Sequence, residues 1–271
     1  MSDLQHRTVK YALSEMEHHY GPRVHILSDP IALTHLARLC AKGTFQPVIF
    51  RLLNALYQQL LEAVINHEFP KTMERIPSRM IDSNALGYYE GEIVSPDSKV
   101  VCVDIARAGT YPSHICYEFL NYLLHPENVR QDHIIMNRVT NSEQQVTGAA
   151  IHGSKIGGPI RDRFVLLPDP MGATGGSLSR AISMYKEKIE GPARSYITMH
   201  LIVTPEYLKR MQQDHPDVIV YAIRLDRGLS SSEVLSTLPG THWDQERGLT
   251  DHQYIVPGGG GFGEIINNCL V

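Results

Sequence analysis

Residues 164–177 read Phe-Val-Leu-Leu-Pro-Asp-Pro-Met-Gly-Ala-Thr-Gly-Gly-Ser. Phe164–Leu167 is a short, continuously apolar run that stops at Pro168. From Gly176 to Glu190, Leu178, Ala181, Ile182, Tyr185 and Ile189 recur at helical spacing before Gly191. A strand thus hands one carboxylate, Asp169, to a loop of small residues that opens a helix. Glycines let backbone N–H groups converge, the helix end adds partial positive charge, and Thr174 and Ser177 supply hydroxyls. Such a turn suits a phosphate monoester, with Asp169 placed to accept hydrogen bonds from sugar hydroxyls. It is not a Walker loop, because no Gly-Lys-Ser/Thr closes it. A glycine-rich turn with an incidental aspartate is the plainer alternative for the same residues.

The same alternation extends in both directions. Val100–Ile105 is a β-branched run, followed by a helix over Ser113–Leu124 that Pro126 closes. His133–Asn137, Tyr196–Val203 and Val218–Ile223 read as further strands, and Thr204-Pro205-Glu206 opens a short helix. Apolar strands alternating with helices predict an α/β fold, a doubly wound, mainly parallel sheet with helices on both faces. Ligands of such sheets lie beyond the carboxyl ends of the strands, here just after residues 105, 137, 167 and 223. Upstream, Ile49, Leu52, Leu53, Leu56, Leu60 and Val64 line one face of a helix over Pro47–His67, a core or subunit-facing helix. Residues 1–46 are mixed, with turns expected at Gly21–Pro22 and Asp29–Pro30.

Composition narrows the function classes. A chain of 271 residues, 42% hydrophobic and 20% charged, has ample core and excludes a disulfide scaffold or global disorder. A net charge of −4 gives no positive field for nucleic acid. The longest apolar runs fall short of the roughly 18–20 residues of a membrane span, so no membrane is expected. With no secretory leader and four cysteines forming no CxxC pair, the expected compartment is the reducing cytoplasm. The 14 histidines include no HExxH and no compact ligand set, so no protein metal site is expected, and the absence of GxSxG disfavours a serine hydrolase.

The segment DPMGATGGS resembles the phosphoribosyl-diphosphate (PRPP) signature of the uracil phosphoribosyltransferases, with Gly172 where that family usually has leucine. Ile105-Ala106-Arg107-Ala108-Gly109 is similar to its Arg-Ala-Gly loop, and Met136-Asn137-Arg138 to its second arginine segment. Thr204-Pro205-Glu206, Leu225-Asp226-Arg227-Gly228-Leu229 and Tyr254-Ile255-Val256-Pro257-Gly258 follow in the family's order. The resemblance implies a type I phosphoribosyltransferase-like fold: a single domain over 24–271 behind an N-terminal extension, 1–23. The core sheet would span about 98–224, with a hood from 24–96 and 225–271 and a β-hairpin arm within Val139–Ile160. It implies conversion of uracil and PRPP to UMP and diphosphate, with Asp169 and Arg107 catalytic. Arg107 and Arg138 would hold the diphosphate, a reading preferred for both over the plainer alternative of a surface ion pair. Asp169, Pro170, Met171, Gly172, Ala173, Thr174, Gly175, Gly176 and Ser177 would hold the ribose and its 5′-phosphate. Ile255 and the backbone of Gly260, Gly261 and Phe262 would read the base. Mg²⁺ would travel on the substrate without dedicated protein ligands, and the chain would form a homodimer or higher homo-oligomer.

The C-terminal segment departs from that pattern. Glycines 258, 260 and 263 spell GxGxxG, yet Pro257 precedes them and only eight residues follow, too few for a dinucleotide-binding unit. Gly261 stands where the family has an aspartate near the reacting ribose, and Glu264 where a second acidic residue is usual. Ser230–His252, with the single tryptophan Trp243, is longer and more polar than the family's segment. These departures leave two alternatives: a PRPP- or nucleotide-binding homologue without turnover, serving as sensor or partner subunit, or a transferase for another base.

Overall fold

Val100–Val103 and Phe164–Leu167 have no polar face, so strands built from them need cover on both sides. The computed structural model, which describes residues 4–140 and 146–269, supplies that cover. Val24–Ile26 (β1) precedes two helices, Pro30–Leu39 (α1) and Val48–Glu68 (α2), and an antiparallel pair, Lys71–Pro77 (β2) and Tyr88–Val94 (β3). Val100–Ala106 (β4), Thr110–Leu123 (α3), Val129–Thr140 (β5) and Val146–Lys155 (β6) follow. Next come Phe164–Pro168 (β7), Met171–Gly172 (β8), Gly176–Lys188 (α4), Ser195–Val203 (β9), Pro205–Asp214 (α5) and Ile219–Leu225 (β10). Two short helices, Ser232–Leu235 (α6) and Phe262–Asn267 (α7), lie in the C-terminal part.

The central sheet runs β1-β10-β9-β7-β4-β5-β6, with β8 added to the end of β9; every pairing is parallel except β5 with β6. Val100, Cys102, Phe164 and Leu166 face α1, α2 and α3, packing among Leu36, Leu53, Leu60, Ile115 and Leu120. Val101, Val103, Val165 and Leu167 face α4 and α5, among Leu178, Ile182, Tyr185, Tyr207 and Met211. Each fully buried side chain of this size is worth about 1.5–3 kcal/mol, so strands and helices stabilise one another on both faces.

Four local features differ from the sequence reading. The sheet reaches outside residues 98–224, because β1 pairs with β10. Asp29–Pro30 is a helix start rather than a simple turn: Asp29 Oδ1 accepts from the N–H groups of Ile31 and Ala32, and Pro30 sits at the first helical position. A second antiparallel hairpin, β2–β3, lies between α2 and β4, where the sequence reading has no strand. Finally, α2 is long and apolar enough to cross a membrane by length and composition, although Leu53, Leu56, Tyr57, Leu60 and Leu61 on it are fully buried in the core. The β5–β6 arm is present: β4 pairs with β5 only as far as Ile135, while β5 and β6 continue to Thr140 and Val146.

Candidate active site

β4 and β7 are sheet neighbours, but the helix after β4 covers one face and the helix after β7 the other. Their outgoing loops therefore diverge and leave a crevice at the carboxyl edge. The loop after β4 carries Arg107, which is exposed; the loop after β7 carries Asp169. The two loops lie against each other at Gly109, where a Cβ would come within 2.9 Å of the carbonyl oxygens of both Ile105 and Pro168. Only glycine permits that approach. Asp104 anchors the first loop by accepting from the Thr110 hydroxyl at 2.9 Å and lying 2.8 Å from His133 Nδ1.

The Asp169 loop is zipped to the end of β9. Asp169 N–H donates to Met199 at 3.0 Å, Pro170 C=O accepts from Leu201 and Ile202, and Thr204 N–H donates to Gly172. One carboxylate oxygen of Asp169 accepts from Met171 N–H at 3.0 Å, which fixes the orientation of the group. The Thr204 hydroxyl donates to Ala173 C=O at 2.7 Å and accepts from Tyr207 N–H at 3.0 Å. Past Ala173 the chain turns through Gly175 at φ +77°, a left-handed conformation, directly into α4 with no capping side chain. Among the described residues no acceptor takes the N–H groups of Thr174, Gly175, Gly176 or Ser177. Those donors and the helix end make a concave anion site beside Asp169. Asp169, Thr174, Gly175, Gly176 and Ser177 are half-buried, whereas Pro170 and Gly172 are buried and shape the loop from beneath.

Two residues under this loop carry no motif signal. His200, on β9, donates from Nδ1 to Asp169 C=O at 2.7 Å, and its Nε2 lies 2.7 Å from the Tyr207 hydroxyl. Burial pushes its pKa down to about 3, although the Asp169 carbonyl opposes that shift, so His200 is neutral and Tyr207 donates to Nε2. The ring of Tyr207 lies over Gly172: a Cβ there would sit 2.9 Å from Val203 Cγ1 and 3.1 Å from Tyr207 Cγ. His200 is hidden in the sequence, marked only by its place in Tyr196–Val203, a run apolar but for Thr198 and itself.

The segment after β10 returns to the same edge. Asp226 accepts two bonds from Arg224, at 2.6 and 2.8 Å, and a third from Gly258 N–H at 2.7 Å. Gly258 adopts φ +59°, so this ion pair holds a backbone turn that leads to Gly260 and Gly261. Thr204 joins the two loops, since a Cβ on Gly248 would come within 3.0 Å of Thr204 Cβ. Gly260 is exposed, Ile255 and Gly261 are half-buried, and the Phe262 side chain is buried in the core. At the end of α7, Cys269 Sγ lies 3.1 Å from Arg107 Nη1, which brings this segment against the Arg107 loop.

Over residues 26–244 the chain matches the family described as uracil phosphoribosyltransferase. The chain belongs to that family. It is 28% identical over 242 residues to a uracil phosphoribosyltransferase of Rhodococcus jostii, covering 89% of this chain and 96% of the relative. A second uracil phosphoribosyltransferase, from Caldanaerobacter subterraneus, is 36% identical over 110 residues, but that match spans only 41% of its length. The solved structure of AQ2163 protein from Aquifex aeolicus shares the fold, with a TM-score of 0.66 at 20% identity over 90% of this chain and 97% of that one.

Against the uracil phosphoribosyltransferase pattern, the departures acquire physical explanations. The leucine usual at position 172 has no room here, because Tyr207 and Val203 fill its space. A Cβ on Gly261 would lie 1.6 Å from Glu264 Oε2 and 2.8 Å from Glu264 Cδ. The Glu264 carboxylate therefore occupies the space that a side chain at 261 would enter, so of the two acidic positions of the pattern one is kept and its carboxylate stands where the other would. Arg138 lies on the β5–β6 arm opposite Ala149; its side chain falls outside the described residues. The Ser230–His252 segment folds around buried Glu246, which accepts from Arg227 and Gly240 N–H, both at 2.8 Å, and from the Tyr20 hydroxyl. Trp243 packs edge-on to Tyr20 at 4.9 Å and donates to Pro205 C=O at 3.0 Å. This segment is a brace between the N-terminal residues and α5.

Proposed function

We propose that this chain transfers the 5-phosphoribosyl group of PRPP to uracil, giving UMP and diphosphate. The reading is supported by an oriented carboxylate, Asp169, that leads directly into an uncapped glycine turn, Thr174–Ser177, at the end of β7, with the C-terminal segment brought to the same edge at Gly248 and Cys269. The turn binds the 5′-phosphate, Asp169 accepts from the ribose hydroxyls, and Arg107 exchanges its Cys269 contact for the diphosphate, whose oxygens a guanidinium fork matches. The C1–O bond breaks and its electron pair leaves with the diphosphate. A ring nitrogen of uracil supplies the pair for the new C1–N bond and loses its proton. Positioning and charge stabilisation do most of this work. The carboxylates of Asp169 and Glu264 suit the cationic character that the sugar gains.

A Mg²⁺ ion fits this donor set only as a passenger on the substrate. Asp169 is the single carboxylate on its loop and commits one oxygen to Met171 N–H. Asp169 would hold ribose oxygens that share the ion, and the ion would neutralise the diphosphate. The exposed apolar side chains Met73, Ile76, Met80 and Leu86 on and around the β2–β3 hairpin suit a homodimer contact. Among the described residues the four cysteines form no disulfide, which suits the cytoplasm. The location of Glu264 favours turnover over the sensor reading.

The test is UMP formation by the full chain from PRPP, Mg²⁺ and uracil, compared with Asp169→Asn. Loss of about 10²–10³ in kcat is expected for the variant, the range seen when one preorganised electrostatic contact is removed. Turnover within threefold of wild type would mean that Asp169 is not at the sugar. PRPP binding with no product from any base would support the sensor.

A further inference from the structure

The fold gathers, on the α2 side of the sheet, four groups that the transferase reading does not use. His25 lies on β1, His67 and Glu68 form the last turn of α2, and Glu15 lies on the strand-like segment that bridges antiparallel to Leu27. One donor atom from each of His25, His67 and Glu68 lies within 4.8 Å of the other two. The sequence shows no compact ligand set because these residues come from separate segments; the pairing of β1 with β10 beneath the end of α2 assembles them.

We infer that His25, His67 and Glu68 form a binding site for a divalent transition-metal ion of the zinc type. The hydrogen bonds around the cluster prepare both imidazoles. His25 Nδ1 lies 2.9 Å from Glu15 Oε2 and donates to that carboxylate, which leaves the Nε2 lone pair for a ligand. The Tyr221 hydroxyl donates to Glu68 Oε1 at 2.7 Å and so accepts from His67 Nδ1 at 2.5 Å, leaving His67 Nε2 open as well. Carboxylate or hydroxyl partners on the far nitrogen orient metal-binding histidines and raise their basicity. His25 is held between these groups, stacked on Tyr221 at 4.6 Å and edge-on to His67 at 5.0 Å.

Charge and access agree with this assignment. Glu68, with Glu15 behind His25, supplies two negative charges to balance a divalent cation. Lys71, three residues beyond Glu68, is committed to the carbonyls of Asn66 and Phe69, at 2.5 and 3.0 Å. A tetrahedral zinc ion has bonds of about 2.0–2.2 Å, so its ligand atoms stand about 3.3–3.6 Å apart. Reaching that spacing from separations of up to 4.8 Å takes side-chain rotation, for which His67 and Glu68, with side chains 39% and 19% exposed, have room. Glu15 and His25 also line a cleft of about 630 Å³ open to solvent, and the partly exposed side chain of His67 gives an ion its way in. Two histidines and one carboxylate leave a fourth position for water. The ion would tie the N-terminal segment and β1 to the end of α2, on a face away from the Arg107 and Asp169 loops.

The test uses the full chain, stripped with chelator, desalted and titrated with Zn²⁺ against a chromophoric competitor. Co²⁺ gives an independent visible-absorption readout of imidazole and carboxylate ligation. One equivalent is expected to bind. His67→Ala and Glu68→Gln are each expected to abolish that equivalent, and Glu15→Gln, which touches no ion directly, to weaken it by about 10- to 100-fold. The metal-free melting temperature of each variant shows whether it is folded; His67 and Glu68 are partly exposed, so these two keep the test open if Glu15→Gln does not fold. Bound metal should raise the melting point of wild type and not of His67→Ala. Absence of a stoichiometric site in wild type, or equal binding by wild type, His67→Ala and Glu68→Gln, would overturn the assignment.

Discussion

His200 is buried beneath the Asp169 loop as a neutral imidazole, and that makes a quantitative prediction. Its folded pKa, about 3, lies below the ordinary value of 6.5 because the ring is fully buried. Between those values the unfolded chain binds a proton that the folded chain refuses. Stability from this group is therefore complete above about pH 6.5 and is lost as the pH falls towards 3. At about 1.4 kcal/mol per unit, the 3.5 units separating the two values set a ceiling of about 5 kcal/mol. About 2 kcal/mol of it should disappear between about pH 7.5 and about pH 5. Other groups titrate over the same range, so the quantity to measure is a difference. Urea unfolding of wild type and His200→Gln would be followed across that range by the fluorescence of Trp243. Glutamine keeps a polar side chain but cannot titrate, so the advantage of wild type over the variant should shrink by about 2 kcal/mol on acidification. A difference that stays flat to within about 0.5 kcal/mol would show that His200 titrates normally, and that the histidine brace under Asp169 is not in the form described.

Two further predictions concern the residues that depart from the family. Gly172→Leu forces a side chain against Tyr207 and Val203 and should cost about 1–3 kcal/mol, measured by urea unfolding. Adding Tyr207→Ala should recover part of that loss, with a coupling of about 1 kcal/mol or more; strictly additive effects would remove Tyr207 as the reason for the glycine. Glu264→Gln keeps the shape of the side chain but removes its charge, and should lower kcat at least about tenfold with a smaller change in the KM for PRPP. Gly261→Asp combined with Glu264→Ala, which vacates the space beside position 261, should restore much of the rate lost in Glu264→Gln. Full activity in Glu264→Gln alone would show that the displaced carboxylate has no part in the reaction.

Much of this architecture is legible from residues 100–225. Uninterrupted apolar runs cannot be half-exposed strands, and a strand ending in Asp169 followed by small residues and an amphipathic helix leaves few other readings. The N-terminal part is harder for a local reason. Asp29–Pro30 serves equally as a turn or as a cap with proline at the first helical position, and only the docking of Ala32, Leu36 and Leu39 against the sheet decides between them. Membership of β1 in the sheet follows from its pairing with β10, a contact between residues nearly 200 positions apart that no local pattern encodes.

The order of strands and helices, the position of Asp169 and Arg107 at strand ends, and the glycine turn into α4 were determined by the sequence itself, because each rests on periodicity or on backbone freedom within a few residues. What only the tertiary structure decided is how distant side chains share space. Glu264 fills the place of a side chain at Gly261, Tyr207 fills that of one at Gly172, and His200 is buried in its neutral form beneath the Asp169 carbonyl. His25 meets His67 and Glu68 for the same reason. Volume and desolvation are properties of packed neighbours, and a chain read in order carries no record of which neighbours it will meet.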